Sequence, residues 1–390
     1  MFTVYCCMRI GIDVRCLAEG KRTGVEEYTL ALLRGLFERD QENTYILFFN
    51  AWDKDVPDFR WALQYPNVVV KKFRFPNKLL NLSLWYLHFP KLDTLVGGTD
   101  IFFLPNLNFA AVSHRTKLVV TAHDLSFELF PETFSWKRRL WHFLINFRRL
   151  VHLADTIIAV SQSTKDDLMM QYGVASDRIR VIYSGIGDQF HVMSRNDNEL
   201  VRVQKKYHLP YKFILSLATF EPRKNILSLI QAYEALQKLG NPLFDKYALV
   251  IAGTRGWKCN EIFAAIRRSP YKDKIIMPGF IADDDKAAVY NLASVFVYPS
   301  LYEGFGFPPL EAMACGVPVI VSHSSSLPEI VGSAGILIDP YQPEELFLAL
   351  QQILLHQTLT DMLRQKSLSQ AMQFSWSKTA EQTLDTFRSL

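Results

Sequence analysis

The chain has 390 residues, 49% of them hydrophobic and 21% charged, with a formal net charge of +4 at pH 7. That length exceeds one ordinary core and calls for two units, while the composition is globular and no window approaches the roughly 18 uninterrupted apolar residues of a membrane span. So small a charge excludes a nucleic-acid-binding surface spread over a domain, and five cysteines without a CxxC pair argue for a reducing, cytoplasmic setting and against structural zinc.

Met1 to Cys7 lack the basic start and long apolar run of a secretion signal, and Met8, just ahead of the first expected strand, is a second candidate start. That strand covers Arg9 to Val14, followed by a loop from Gly20 to Gly24 and a helix from Glu26 to Phe37. Further strands are expected at Tyr45 to Phe49, Val68 to Val70, Leu118 to Ala122 and Thr156 to Val160. The helix after the last has Ser163 and Asp166 at capping-box spacing. Val181 to Tyr183 closes the first unit and the polar stretch Ser194 to Glu199 reads as the linker. The second unit runs through strands Phe213 to Leu217, Ala248 to Ala252, Ile275-Ile276, Val295 to Tyr298, Val317 to Val321 and Gly335 to Ile338. Its first strand leads into a loop at Glu221 to Asn225 and a helix to about Leu239. Apolar runs alternating with helices imply parallel sheets covered on both faces, with ligands at the carboxyl ends of the strands. The expected division is 1–195, 196–373, and a terminal segment 374–390.

Two segments interleave cations with aromatic residues: Lys71 to Arg74 with Lys78 and Trp85-Tyr86, and Trp136 to Trp141 with Phe143 and Arg148-Arg149. They read either as peripheral contacts with a lipid headgroup layer or as half-buried helices with snorkelling cations.

The strongest functional signal lies between Glu303 and Glu311. Gly304 and Gly306 free the backbone beside the first acid, and Pro308 and Pro309 pre-set the first turn of a helix that carries the second. A strand, a glycine turn and a helix start make a seat for an anion. Carboxylates beside it accept hydrogen bonds from hydroxyls, which suits a sugar joined to phosphate. The alternative is that Glu311 complements the helix dipole and Glu303 caps a turn. Gly316 is expected as the left-handed end of that helix. In the loop Glu221 to Asn225, Arg223 and Lys224 either meet phosphate or face solvent. His123 stands at a strand end, where both structural and functional histidines occur. Asp283 to Asp285 open a helix and are expected to complement its dipole. No GxGxxG follows the first strand, which speaks against a nicotinamide oxidoreductase.

Taken together, Tyr298 to Glu303, Glu311 to Ile320, Pro328-Glu329 and Gly335 resemble the Glu-x7-Glu block of the retaining glycosyltransferases of family four. The resemblance extends over nearly the whole chain. It implies an α/β, GT-B architecture: two Rossmann-like lobes facing each other across a cleft, with the segment after Phe374 crossing back to the first lobe. It implies that Glu303 binds hydroxyls of the transferred sugar, that Glu311 binds the ribose, and that Lys224 with Arg223 contacts the donor diphosphate. Gly279 and Phe280 would hold the nucleobase, Gly24 and Gly304 to Phe307 would flank the donor, and His123 would approach the sugar. Ser161 matches a strand-end serine of the family, though helix capping fits it equally. Many members carry Gly-Arg where this chain has Ala218-Thr219.

The implied reaction moves a hexose from a nucleoside diphosphate sugar to a saccharide or polyprenyl-linked acceptor at the inner membrane face. It proceeds with retention, with no metal and no other cofactor required. GDP-mannose is the first expectation for the donor, ahead of UDP-glucose and dTDP-rhamnose, in the synthesis of surface polysaccharide such as lipopolysaccharide. Two alternatives stay open: another sugar-nucleotide reaction, epimerisation or hydrolysis, and a non-catalytic sugar-nucleotide-binding partner.

Overall fold

The computed structural model describes residues 7–19, 24–52, 57–194 and 196–390. The readings made on residues 1–6 and on the loop at 20–23 lie outside the described residues. Contacts group the chain into two compact units: the chain up to Leu125 with Trp136–Gly185 and Trp376–Leu390, and Ser126–Ser135 with Ile186–Ser375. The principal division thus falls after Gly185, ten residues ahead of the expected boundary after residue 195. Within the expected linker Asp197 caps the helix Asn198–Lys206 by accepting from the Glu199 amide.

The first unit is built on seven strands: β1 Arg9–Asp13, β2 Thr44–Asn50, β3 Val68–Phe73, β4 Ile101–Leu104, β5 Lys117–Ala122, β6 Thr156–Ala159 and β7 Ile179–Val181. They lie in the order β3-β2-β1-β4-β5-β6-β7, every pair parallel. Their near-continuous apolar runs follow from burial on both faces; in β2, Tyr45 through Asn50 are all buried. Sequence periodicity missed β4. Ile101-Phe102-Phe103-Leu104 is only four residues long, too short to separate a strand from any other apolar run.

The C-terminal helix Trp376–Arg388 completes this core. Phe387 meets Phe103 edge to face at 5.4 Å, Trp376 meets Tyr28 at 5.7 Å, and Thr379 donates to the Tyr183 carbonyl at 2.8 Å.

The second unit holds six parallel strands: β8 Phe213–Leu217, β9 Ala248–Ala252, β10 Ile275–Gly279, β11 Val295–Tyr298, β12 Val319–Ser322 and β13 Gly335–Ile338. Their order is β10-β9-β8-β11-β12-β13. Ser126–Ser135 groups with this unit, where Phe130 packs on Tyr302 at 5.5 Å and Phe134 stacks on Trp257 at 5.7 Å.

In both sheets the order reverses beside the first strand, between β1 and β4 and between β8 and β11. Such a reversal parts the connecting segments to opposite faces and leaves a crevice at the strands' carboxyl ends, where open α/β sheets bind ligands.

Candidate functional site

The sharpest concentration of chemistry lies at the second reversal. After β8 the chain makes a short 3₁₀ turn, Pro222–Lys224, and Asn225, in the left-handed region at φ 51°, leads into the helix Ile226–Lys238. After β11 it runs through Ser300 to Glu303. β8 and β11 are neighbours, with Val295 opposite Ile214, so the two loops leave the sheet side by side. Leu301 N–H donates to the Arg223 carbonyl at 2.8 Å and joins them.

Four charges meet there. Lys224 Nζ donates to Glu303 Oε1 at 2.5 Å and to Tyr298 Oη at 2.8 Å, and Ser300 Oγ donates to the same Oε1 at 2.5 Å. Arg223 Nη1 stands 3.1 Å from Glu303 Oε2, and its Nε and Nη2 donate to Glu221 Oε1 at 3.1 and 2.8 Å. Arg223 Nη1 also donates to the Tyr302 carbonyl at 2.5 Å.

Glu221, Lys224 and Glu303 are all buried, with Lys224 8% and Glu303 9% exposed. Buried charges persist only when paired and hydrogen-bonded, and two acids against two bases leave this knot neutral. Burial alone would push the Glu303 carboxyl up, but Arg223, then Lys224 and the hydroxyl of Ser300, overcome it and hold it down at about 2. The Lys224 ammonium is drawn below its usual value by burial and by Arg223, against the pull of Glu303.

Lone pairs and protons set what remains for a ligand. Oε1 of Glu303 receives Lys224 and Ser300, Oε2 faces Arg223, and the Tyr298 phenol is a further hydrogen-bond partner of the carboxylate. Lys224 commits two of its three N–H groups, to Glu303 and Tyr298. The knot therefore keeps one N–H of Lys224 for an anion, and Arg223 is part of it, not a solvent-facing charge.

The loop after Glu303 is held from outside. Glu303 N–H donates to Ser325 Oγ at 2.7 Å, while Ser326 Oγ donates to the Glu303 carbonyl at 3.0 Å and the Phe305 carbonyl at 2.5 Å. Gly306 caps the helix Phe307–Ala314 at φ 120°, and a Cβ there would stand 2.9 Å from Leu327 Cδ2, so only glycine fits. Phe305 is buried against Phe307 at 5.0 Å.

The expected set of helix N-terminal amides needs correcting. Phe307 alone among the first three helical residues has an N–H, because Pro308 and Pro309 carry none. Glu311 sits beyond the first turn, where dipole complementation fades; it is 4% exposed and accepts from Tyr290 Oη at 2.7 Å. The two acids are thus anchored separately, Glu303 to cations and Glu311 to a phenol. The helix ends as read from the sequence. Gly316 is left-handed at φ 69°, its N–H donates to Met313 O at 2.9 Å, and Val317 N–H donates to Ala312 O at 3.0 Å, the doubly bonded Schellman end.

His123, directly after β5 in the first unit, has its ring edge to face with Tyr28 at 4.7 Å, and its Nε2 is 2.8 Å from the Pro105 carbonyl. A carbonyl only accepts, so the proton is on Nε2. Burial lowers the ring's pKa, and a neutral ring leaves Nδ1 as an acceptor. Gly24 is the exposed first residue of the helix Gly24–Arg39. Gly279, at φ 82°, ends β10, two strands from β8, and the 59% exposed Phe280 follows it. At Ala218-Thr219 the backbone continues the β8 to β9 pairing, with Phe220 N–H donating to Thr254 O at 2.8 Å.

Two readings change. Ser161, for which capping was one of the two readings, caps the helix Gln162–Tyr172 by accepting from Thr164 N–H at 3.1 Å, so the Ser163–Asp166 spacing is not the cap. Asp285 does more than complement a dipole: it is buried, takes Lys206 Nζ at 2.5 Å and Tyr207 Oη at 2.7 Å, and pairs with Arg202, tying the helices Asn198–Lys206 and Asp283–Leu292 together. Sequence reasoning missed Glu221, Tyr298, Ser300, Ser325 and Tyr290 as partners of the site. Ser300, three residues before Glu303, was the one visible signal.

Residues 197–370 match the family model of glycosyl transferases group 1, and residues 22–190 that of glycosyltransferase family 4. O-antigen chain mannosyltransferase B of Escherichia coli is 33% identical over 286 residues, 73% of this chain and 73% of that protein. Serotype-specific mannosyltransferase WbdA of Escherichia coli is 35% identical over 276 residues, 70% of this chain and 34% of that protein; the chain spans about a third of that relative's length. Among solved structures, Alr3699/HepE of Anabaena in complex with UDP and glucose superposes with a TM-score of 0.73 at 20% identity, covering 98% of this chain and 100% of that one. The two parallel sheets and these matches show the GT-B fold, and the chain belongs to the family-four glycosyltransferases.

Proposed function

We propose that the chain transfers a hexose, mannose first, from a nucleoside diphosphate sugar to a saccharide acceptor on a lipid carrier, with retention at the anomeric carbon, in surface polysaccharide synthesis. The observation that carries this reading is the Lys224–Glu303 contact at the reversal between β8 and β11, and the names of the mannosyltransferase relatives support the choice of sugar.

In this reading the third N–H of Lys224 and the Arg223 guanidinium meet the donor phosphates, and the charge that develops on the departing diphosphate is stabilised by groups already fixed in place. Tyr298, Glu303 and Glu221 hold those cations, so little reorganisation accompanies reaction. Oε2 of Glu303 accepts a hydroxyl of the transferred sugar, Glu311 a ribose hydroxyl after exchange with Tyr290, and Gly279-Phe280 lie along the nucleobase. His123, neutral and with Nδ1 as acceptor, serves the sugar from the first unit, and Gly24 and residues 304–307 complete the donor surface. Arg223 stands in for the arginine that many members carry where this chain has Thr219. No metal is called on, and no protein base is assigned, since the leaving phosphate oxygen can take the acceptor proton.

The test is a panel of nucleotide sugars with the purified protein. GDP-mannose at about 100 times its dissociation constant raises stability by about 2.7 kcal/mol and gives a mannosylated lipid-linked acceptor whose new bond has the donor's anomeric configuration by NMR. A response to UDP-glucose in place of GDP-mannose reassigns the donor. Hydrolysis without transfer, or binding without turnover, overturns the transferase reading.

A further inference from the structure

The surface of the first unit carries two helices whose apolar stripes point outward. On the helix Trp136–Ile145, Trp136, Leu140 and Phe143 stand at spacings of four and three, which places them on one side, and they are between 49 and 76% exposed. On the helix Asn77–Tyr86, Leu79, Leu82 and Tyr86 do the same at 52 to 64% exposure, while Leu80 and Leu84 face the core. Leu87 and Phe89 extend the second stripe. Single exposed apolar residues are ordinary, but stripes at helical spacing on neighbouring helices mark an interaction surface.

The helices adjoin. Trp85 and His88 from one side and Asn146, Arg149 and Leu153 from the other line a shallow depression of about 40 Å³, and Arg149 Nη2 lies 2.7 Å from His88 Nε2.

Charge decides the occupant. Residues 71–91 hold Lys71, Lys72, Arg74, Lys78 and Lys91 and no acid, and residues 136–153 hold Lys137, Arg138, Arg139, Arg148 and Arg149 and no acid. Ten cations in 39 residues, against +4 for the whole chain, leave a net charge of −6 on everything else. A protein partner buries an interface core depleted of charge, and a second copy would set ten like charges against ten. A bilayer of anionic lipid accepts both features at once, aromatic and leucine side chains below the headgroups and cations among the phosphates. Among the described residues no helix is long and apolar enough to cross a membrane, so contact is with one leaflet.

We propose that the Asn77–Tyr86 and Trp136–Leu153 face of the first unit docks on an anionic bilayer by inserting Trp136, Leu140, Phe143, Leu79, Leu82 and Tyr86 at headgroup depth. This rests on no property of the donor site, so the two readings fail independently.

Vesicle flotation of the full chain tests it. Vesicles with about 30 mol % phosphatidylglycerol carry the protein up and pure phosphatidylcholine vesicles do not. Raising salt from about 50 to about 500 mM weakens the partition at least tenfold, as the Debye length shortens. Each Lys or Arg near such a surface contributes about 1 kcal/mol, a factor of about five, so Lys137→Glu with Arg139→Glu lowers binding by more than about 25-fold. Trp136→Ser with Phe143→Ser lowers it at least tenfold with melting temperature and donor-induced shift unchanged. No flotation, equal flotation of neutral vesicles, undiminished binding by both variants, or a lipid-free dimer that these substitutions dissolve each overturns the proposal.

Discussion

Two cation-rich regions of this protein obey opposite rules. At the β8 to β11 reversal Lys224 is buried and Arg223 is half-buried, and each has an acid, Glu221 or Glu303, within hydrogen-bonding distance. On the Asn77–Tyr86 and Trp136–Leu153 face the cations are interleaved with exposed aromatics and have no acid in their segments. Burial makes an unpaired charge intolerable, so the first cluster is self-neutralising and rigid; water tolerates unpaired charge, so the second keeps its excess for a partner. Where a cation is placed, more than how many there are, tells what it does.

The largest expected effect breaks the first region. Glu303→Ala leaves Lys224 and Arg223 without their carboxylate and costs about 3–5 kcal/mol, the usual penalty for orphaning a buried partner, measured by denaturant unfolding. Glu303→Leu combined with Lys224→Met recovers most of that loss while abolishing turnover; a double variant as unstable as Glu303→Ala would show that pairing is not what the knot requires.

Acid probes the same pair. Glu303 is lowered from the ordinary 4.5 to about 2, so the unfolded chain takes up its proton first as the pH falls. Its contribution is complete above pH about 4.5 and is lost on descending to about 2, amounting to about 3 kcal/mol. Stability curves of the wild type and Glu303→Ala should converge over that window. Parallel curves would mean that Glu303 does not titrate there.

The smallest effect belongs to the second region. Phe143→Ser removes a side chain that is 76% exposed, and global stability should change by no more than about 0.5 kcal/mol, read as an unmoved melting temperature. A loss of several degrees would place Phe143 in a core and erase the contrast.

Some of this was written in local pattern. β8, β9 and β13 fall at the expected residues, and Gly316 ends its helix as expected, because apolar runs and a left-handed glycine are short-range physics. The acids at 303 and 311 and the basic pair at 223–224 stood out for the same reason. The four residues of β4 escaped, too short for a period, and the Ser163–Asp166 spacing pointed two residues past the cap, a role the sequence had also allowed for Ser161. That Lys224 and Glu303, 79 positions apart, touch at all follows from the strand order, which sets β11 against β8 although β9 and β10 intervene in the chain. Local sequence determines which segments are strands and which residues carry charge. Only packing of the whole sheet decides which strands become neighbours, because that choice minimises exposed apolar surface over the complete chain and is encoded at no single position.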